Sequence, residues 1–291
     1  QTGSIPTNLG LSSGVILSTG RVNGTPDIGS NSSNHASTNN GQSGYPLLTS
    51  LIGKSTFDAA ILEFDFVPLA DTIMFRYVFA SEEYPTFVCS NYNDVFGFFI
   101  SGLNPSGGSY NNYNIALIPN TSLPVAINTV NSGVPGSAGS SSGCTSLNYS
   151  QYYVNNTGGQ YIVFNGFTKV LTAWAKVVPC QNYRIKIAIA DAVDRAYDSA
   201  VFLEAYSFSS NAVGIQLIAS NPLTDVDAIV GCNNTTIEFC LPEPQSTDRI
   251  VEYTIAGTAV NGVDYETIPN SVTIPAGQTC AKIDIVPIDN G

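Results

Sequence analysis

A chain of 291 residues, 43% hydrophobic and 10% aromatic, is long enough for two buried cores and too apolar to be disordered as a whole. Ten basic residues against 22 acidic ones give a net charge of −12. That balance excludes nucleic acid and anionic membranes as electrostatic partners, favours divalent cations, and no run of 18 apolar residues suggests membrane insertion.

The chain opens at Gln1 with no leader-like segment, as expected of a processed secreted protein or a piece of a longer one. Residues 1–56 are rich in Gly, Ser and Asn around one apolar patch, GLSSGVILSTG, and GSNSSNHASTNNGQSG reads as a mobile loop. Period-two alternation then predicts strands in AAILEFDFVPL and TIMFRYVFAS, with Asp71 at the turn, followed by DVFGFFISG, NIALIP and PVAINTV. SGVPGSAGSSSGCTS is a low-complexity loop that needs Cys144 as a tether. QYIVFNGFTKVLTAWAKVVP, NYRIKIAIADAV and SAVFLEAYSFSS supply further strands, and residues 191–199 offer the one place for a short helical turn. Composition shifts near 210–213. Beyond it IQLIAS, TTIEFCL, RIVEYTIAG, SVTIPAG and AKIDIVPI make about five short strands, where an immunoglobulin-like sandwich usually has about seven. The expected fold is all-β: an antiparallel, jelly-roll-like β-sandwich over 1–211, then an immunoglobulin-like β-sandwich over 212–291 whose last strands lie beyond 291 or come from elsewhere.

Six cysteines without a CxxC pair point to disulfides in an oxidising compartment, not to zinc. Alternation turns Ile237, Phe239 and Leu241 inward on one strand and Ala281, Ile283 and Ile285 inward on another. Cys240 and Cys280 then share the outer face and are the first pair expected. Cys89, Cys144, Cys180 and Cys232 are left for two further bridges, with Cys89 and Cys144 as a candidate pair pinning the low-complexity loop.

Acids carry the chemistry. None occurs between Asp94 and Asp191. On one side stand Glu82, Glu83 and Asp94; on the other stand Asp191, Asp194, Asp198 and Glu204, and both groups lie at strand ends. Carboxylates brought together raise one another's pKa unless a cation intervenes, and Ca2+ accepts about six to eight hard oxygen ligands. The expected site is a structural Ca2+ held by Glu82, Glu83, Asp94, Asp191, Asp194 and Asp198, with Asn91 and Asn93 as extra donors. The alternative is two ordinary solvated turns, their acids paired with Arg76, Arg184 or Arg195. A glycosidase could use Glu82 or Glu83 with Asp191 or Asp194, but nothing in the spacing specifies it. The single histidine, His35, lies in the polar loop, and HExxH and a phosphate-binding glycine loop are absent. Trp174, Tyr152, Tyr153 and Tyr161 are either sugar-stacking or core aromatics.

SSGVILSTG, FASEEYPTFVCSNYNDVFGFFISG, NIALIPNTSLPVAINTVNSG and PCQNYRIKIAIADAVDRAYDSAVFLEAYSF, in that order, resemble the choice-of-anchor L domain over residues 8–210. The resemblance implies a secreted, cell-surface protein of Bacteroidota-type bacteria, exported by type IX secretion through a separate sorting domain, expected beyond residue 291. It implies no activity. VEYTIAGTAVNGVDYETIPNSVTIPAGQTCAKIDIVPIDNG resembles a Calx-beta repeat. That likeness implies either a second metal position at Asp264 and Asp289 or a spacer in which Asp264 fixes a turn. The pattern's glutamate is replaced around Val230-Gly231-Cys232, with Asp225 and Asp227 nearby. The combined expectation is a non-enzymatic, calcium-ordered adhesin-like module for attachment or gliding, whose partner is an extracellular polysaccharide or another surface protein. The alternatives are a filament subunit that self-assembles by strand exchange and a carbohydrate-active enzyme using paired carboxylates.

Overall fold

Long strands of Val, Ile, Phe and Tyr build the first part of the chain because side chains at period two can fill the space between two sheets. The computed structural model describes residues 9–11, 13–23, 28, 30, 32–205, 207–210, 214–219, 227–241 and 244–289. It contains two compact units, Gln1–Ser210 and Asn211–Gly291.

In the first unit the elements in chain order are β1 (Gly14–Ser18), α1 (Pro46–Ile52), β2 (Thr56–Phe66), β3 (Thr72–Ser81), β4 (Val95–Leu103) and β5 (Ser109–Asn114). After them come β6 (Tyr153–Asn155), β7 (Gly166–Thr168), β8 (Leu171–Lys176), β9 (Tyr183–Ala192), β10 (Ser199–Glu204) and β11 (Ser209–Ser210). One sheet runs β1-β10-β3-β7-β6, with β8 and β11 also on β3, and the other runs β2-β9-β4-β5. All pairings are antiparallel. Phe75 meets Phe98 at 4.6 Å and Tyr77 meets Phe96 at 5.0 Å between ring centroids, joining β3 of one sheet to β4 of the other.

One end of this sandwich is covered on both outer faces. Phe164, Phe167, Ile28 and Leu9 cover the outer face of the first sheet around Val78, Ala80 and Phe202. Leu48 of α1 covers the outer face of the second around Val95, Phe99, Ala188 and Ala190. The register brings the C-terminal ends of β1, β3 and β9 to this end with the N-terminal ends of β2, β4 and β10: Ser18 faces Ala200, Ser199 faces Ser81, Thr56 faces Ala192, and Val95 faces Ala190. These termini carry the acids.

Several sequence expectations change. NIALIP and PVAINTV are not strands; Pro and Asn interrupt their ladders, leaving isolated bridges Leu117–Pro124 and Val95–Ala126. Their Ile118, Val125, Ile127 and Val130 still fill the core. The strand before them, β5, is the polar SYNNYN, which a search for apolar alternation misses. No helical turn forms over 191–199, where Val193 and Tyr197 have φ of 78° and 62°. The α-helix among the described residues is α1, seven residues with Pro in its first turn and Gly53 at φ 67° closing it. The low-complexity loop is pinned by more than Cys144. Gly136, Ala138 and Ser140 donate N–H groups to Val88, Thr86 and Cys89 carbonyls, and a Cβ at Gly139 would lie 1.9 Å from the Val88 oxygen.

The second unit has β12 (Gly214–Ala219), β13 (Thr235–Cys240), β14 (Arg249–Glu252), β15 (Ser271–Ile274) and β16 (Cys280–Ile285). They form the antiparallel sheets β12-β13-β16 and β14-β15 around Phe239, Leu241, Tyr265, Ile268, Ile274 and Ile283. Cys240 and Cys280 are direct register partners and are bonded, as are Cys89 and Cys144. The expectation of a third bridge is corrected: Cys180 and Cys232 are free and exposed. Each sits on a surface turn in a different unit, and every other cysteine of its own unit is already bonded.

Candidate functional site

The polar segment before α1 organises the acidic end. Residues 36–42 form no regular strand, with Gly41 at φ 69°, yet the N–H groups of alternate residues all point at carboxylates. Ala36 donates to Glu82 Oε1 at 3.0 Å, Thr38 to Asp198 Oδ1 at 2.8 Å, and Asn40 and Gln42 to Asp58 Oδ2 and Oδ1 at 3.0 and 2.5 Å. Asp198 N–H returns a bond to the Ala36 carbonyl, and Tyr197 N–H donates to Ser37 Oγ. The segment expected to be mobile is thus a strap tied across the acidic strand ends. Its polar composition hides this because its partners are distant in sequence.

Six carboxylates lie beneath and beside the strap with at most 3% exposure: Asp58, Glu82, Glu83, Asp94, Asp191 and Asp198. Glu82 also meets Asn165 Nδ2 at 2.7 Å and His35 Nδ1 at 3.3 Å. Asp94 accepts from Ala192 N–H at 2.9 Å and Ser199 Oγ at 2.6 Å. Among the described residues, Glu83 Oε2, both oxygens of Asp191, and Asp198 Oδ2 have no hydrogen-bond donor. Thr19 lies beside Asp191, but its hydroxyl is engaged with Ser199. Gly20 is there because nothing larger fits: a Cβ would fall 1.8 Å from Asp198 Oδ2.

Burial governs how these groups titrate. It pushes Glu83 up to about 10, with the charges of Asp94, Asp194 and Glu82 adding to it. It pushes Asp191 to about 10 with Asp94, Asp198 and Asp58 contributing. Asp94 rises to about 7 and Asp198 to about 6, both by burial, held back by their hydrogen bonds to Ser199 and Ala192 and to Thr38. Glu82 is raised by burial against the donors Ala36, His35 and Asn165. Such groups need protons or cations to be tolerated inside a protein.

Of the six acids predicted to share a site, five converge. Asp194 stands exposed at the rim, its Oδ1 accepting from Ala196 N–H. The donors Asn91 and Asn93 do not join them: Asn91 is exposed, and Asn93 Oδ1 accepts from Asn128 N–H. Arg76 pairs with Glu204 and Arg184 with Asp65, so neither neutralises the acidic end. Arg195 does approach, at 3.6 Å from Asp58 Oδ1 and 4.4 Å over the Phe57 ring. The acid that sequence reasoning missed is Asp58. It sits at φ 48° in a bulge of β2, and its one visible signal was a charge in an apolar strand.

In the second unit Asp264 Oδ2 accepts from Val260 N–H at 2.6 Å and its carbonyl accepts from Ile288, so it fixes a turn. Asp289 is exposed; Asp225 lies outside the described residues. Among the described residues, the three donor atoms of His, Cys, Asp or Glu that come within 4.8 Å of one another belong to Glu238, Cys240 and Cys280. Two of them are the sulfurs of a disulfide, which cannot serve as thiolate ligands. Trp174 is 58% exposed on the outer face of β8, while Tyr152 and Tyr153 are half-buried.

The sequence profile described as Choice-of-anchor L domain matches residues 2–209. Searches of curated proteins and of solved structures returned no match. No helix among the described residues is long and apolar enough to cross a membrane.

Proposed function

The chain belongs to the choice-of-anchor L domain family, and from that membership we propose that it is a non-enzymatic cell-surface module, adhesin-like, whose first unit is ordered by calcium. The observation that supports calcium is the set of carboxylate oxygens, buried to 1% exposure or less and without donors, on Glu83, Asp191 and Asp198. A hard divalent cation satisfies them without protonation, and its role there is to hold loops together. Glu83 and Asp191 are buried at 1% and 0%, beyond the reach of a polysaccharide, which weighs against catalysis by paired carboxylates. The ligand of the adhesin is an extracellular polysaccharide or another surface protein. A hollow of about 470 Å³ lined by Ser90, Asn91, Tyr92, Ser140 and Val193 offers hydroxyl, amide and aromatic contacts of the kind a neutral saccharide uses. Export by type IX secretion, a part in gliding, and a Calx-beta-like spacer role for the second unit complete the reading.

Retention of the purified chain on polysaccharide-coated and cell-derived surfaces tests this, first in calcium and then in excess chelator. Calcium-dependent retention is expected. Retention indifferent to chelator, with unfolding temperature equally indifferent, would remove calcium from the function. A second reading, a self-assembling filament subunit, is favoured by β12. Its Ile215 and Leu217 are 66% and 48% exposed, although Ile215 pairs with the buried Phe239 on the same face of the sheet. Sedimentation of the chain at rising concentration separates the two, since an adhesin stays monomeric.

A further inference from the structure

Two edge strands of the first unit carry aromatic side chains that its core does not use. β8 lies at an edge of the first sheet, paired with β3, and β5 at an edge of the second, paired with β4. The Tyr110 hydroxyl of β5 donates to the Lys176 carbonyl of β8 at 3.0 Å, so both edges belong to one flank of the sandwich. On β8 Leu171, Ala173 and Ala175 turn into the core, while Trp174, the single tryptophan of the chain, turns out and is 58% exposed. On β5 Tyr113 is 51% exposed, its ring 5.7 Å from that of Tyr110. The fold forgoes much of the free energy that burying rings of this size would supply. Their exposed neighbours along the strands are polar: Asn111 on β5, Thr172 and Lys176 on β8.

Three features narrow what such a flank can hold. A strand of another chain needs a regular, open edge. Here Asn112 of β5 sits at φ 48°, the β4–β5 register shifts between Ile100 and Gly102, and the Lys176 carbonyl is already taken. An anionic partner needs cations that are not already paired. Lys176 is held by Asp71 at 2.9 Å, and Arg76, which faces Thr172 across the ladder, is held by Glu204 at 2.6 Å. A protein partner needs a contiguous apolar centre, whereas these rings stand among amides, hydroxyls and neutralised charge pairs. An uncharged, hydroxyl-rich polymer fits all three. The C–H faces of its sugar rings stack on aromatic faces, which carry negative quadrupole charge, and its hydroxyls bond the polar groups alongside.

Resting on the adhesin reading, we propose that this flank binds a neutral polysaccharide chain, with Trp174 and Tyr113 as stacking rings and Asn111, Thr172 and Lys176 as hydrogen-bonding groups. It shares no residue with the hollow beside Tyr92.

The single tryptophan makes the test direct. The full chain is titrated with neutral dextran, mannan and xyloglucan and with anionic alginate, reading tryptophan emission together with retention on the same polymers immobilised. A saturable emission shift with at least one neutral polymer and none with alginate is expected, a result that needs no variant to fold. Trp174→Ala and Tyr113→Ala, with unchanged circular dichroism spectra, should each weaken retention about tenfold, Trp174→Phe should weaken it less, and Tyr92→Ala should not change it. Retention with emission unmoved, or retention lost in Tyr92→Ala and kept in Trp174→Ala, overturns the inference and leaves the adhesin reading standing. An emission shift with alginate alone overturns the neutral class. Retention on cell-derived surfaces but on none of these polymers also overturns it, and leaves the adhesin a protein ligand. No retention on any surface overturns both.

Discussion

Asp191→Asn distinguishes a cation ligand from a merely buried acid, because its stabilising effect in chelator shrinks when calcium is added. In chelator at pH 7 burial keeps the Asp191 carboxyl protonated, its pKa pushed from 3.8 to about 10. Folding must then bind a proton to a group that is ionised in the unfolded chain. The gap of about three pH units between its unfolded value and neutrality costs ~4 kcal/mol at about 1.36 kcal/mol per unit. Asparagine has the same shape, carries no charge, and can donate its amide to the neighbouring carboxylates. The chelated variant should therefore unfold higher than wild type, by at most roughly 8–16 °C for a unit of this size. Bound calcium at a hundredfold excess over its dissociation constant would add ~2.7 kcal/mol to the wild type, which the variant would forgo. Differential scanning calorimetry in chelator and in CaCl2 reads both arms. A variant less stable than wild type in chelator, or one that gains as much from calcium, would refute the reasoning.

The calcium-free protein should lose stability as pH rises. Glu83, Asp94, Asp191 and Asp198 all have folded pKa values above their unfolded ones, so the folded state holds extra protons. Their contribution is complete below about pH 4 and is lost through about 6 for Asp198, 7 for Asp94 and 10 for Glu83 and Asp191. Urea midpoints in chelator should be lower at pH 8 than at pH 5; the opposite order contradicts the burial of these acids. Gly20→Ala should destabilise by about 1–3 kcal/mol and weaken calcium binding, because its Cβ collides with Asp198 Oδ2 at 1.8 Å. Equilibrium denaturation with and without calcium measures it, and an unchanged midpoint would show that the strap region yields. Alkylation of the unreduced native protein should label Cys180 and Cys232 alone, and peptide mapping should recover Cys89–Cys144 and Cys240–Cys280; a labelled Cys89 or Cys240 would disprove the pairing. Removing Cys240–Cys280 should cost ~2–4 kcal/mol in the second unit, read by its urea midpoint.

Strand positions were legible because period-two burial is a local property: TIMFRYVFAS, DVFGFFISG and NYRIKIAIADAV became β3, β4 and β9 with ends shifted by a residue or so. The facing of Cys240 and Cys280 was legible for the same reason, since alternation alone says which face a residue takes. An acid-free gap bounded by two acidic strand ends was enough to suggest that Glu83, Asp94, Asp191 and Asp198 meet. What the sequence could not express was the set of groups those acids meet. Asp58 belongs with them through a bulge in β2, and Asp194 stays at the rim through an Asx turn onto Ala196. The strap 36–42 becomes ordered through hydrogen bonds to acids 16 to 160 residues away. Such bonds arise from sheet register and from the layers closing over both faces of one sandwich end, and no periodicity along the chain encodes them. Composition and alternation therefore determined an all-β, acidic, disulfide-bonded chain, while tertiary packing alone decided which carboxylates lost their water.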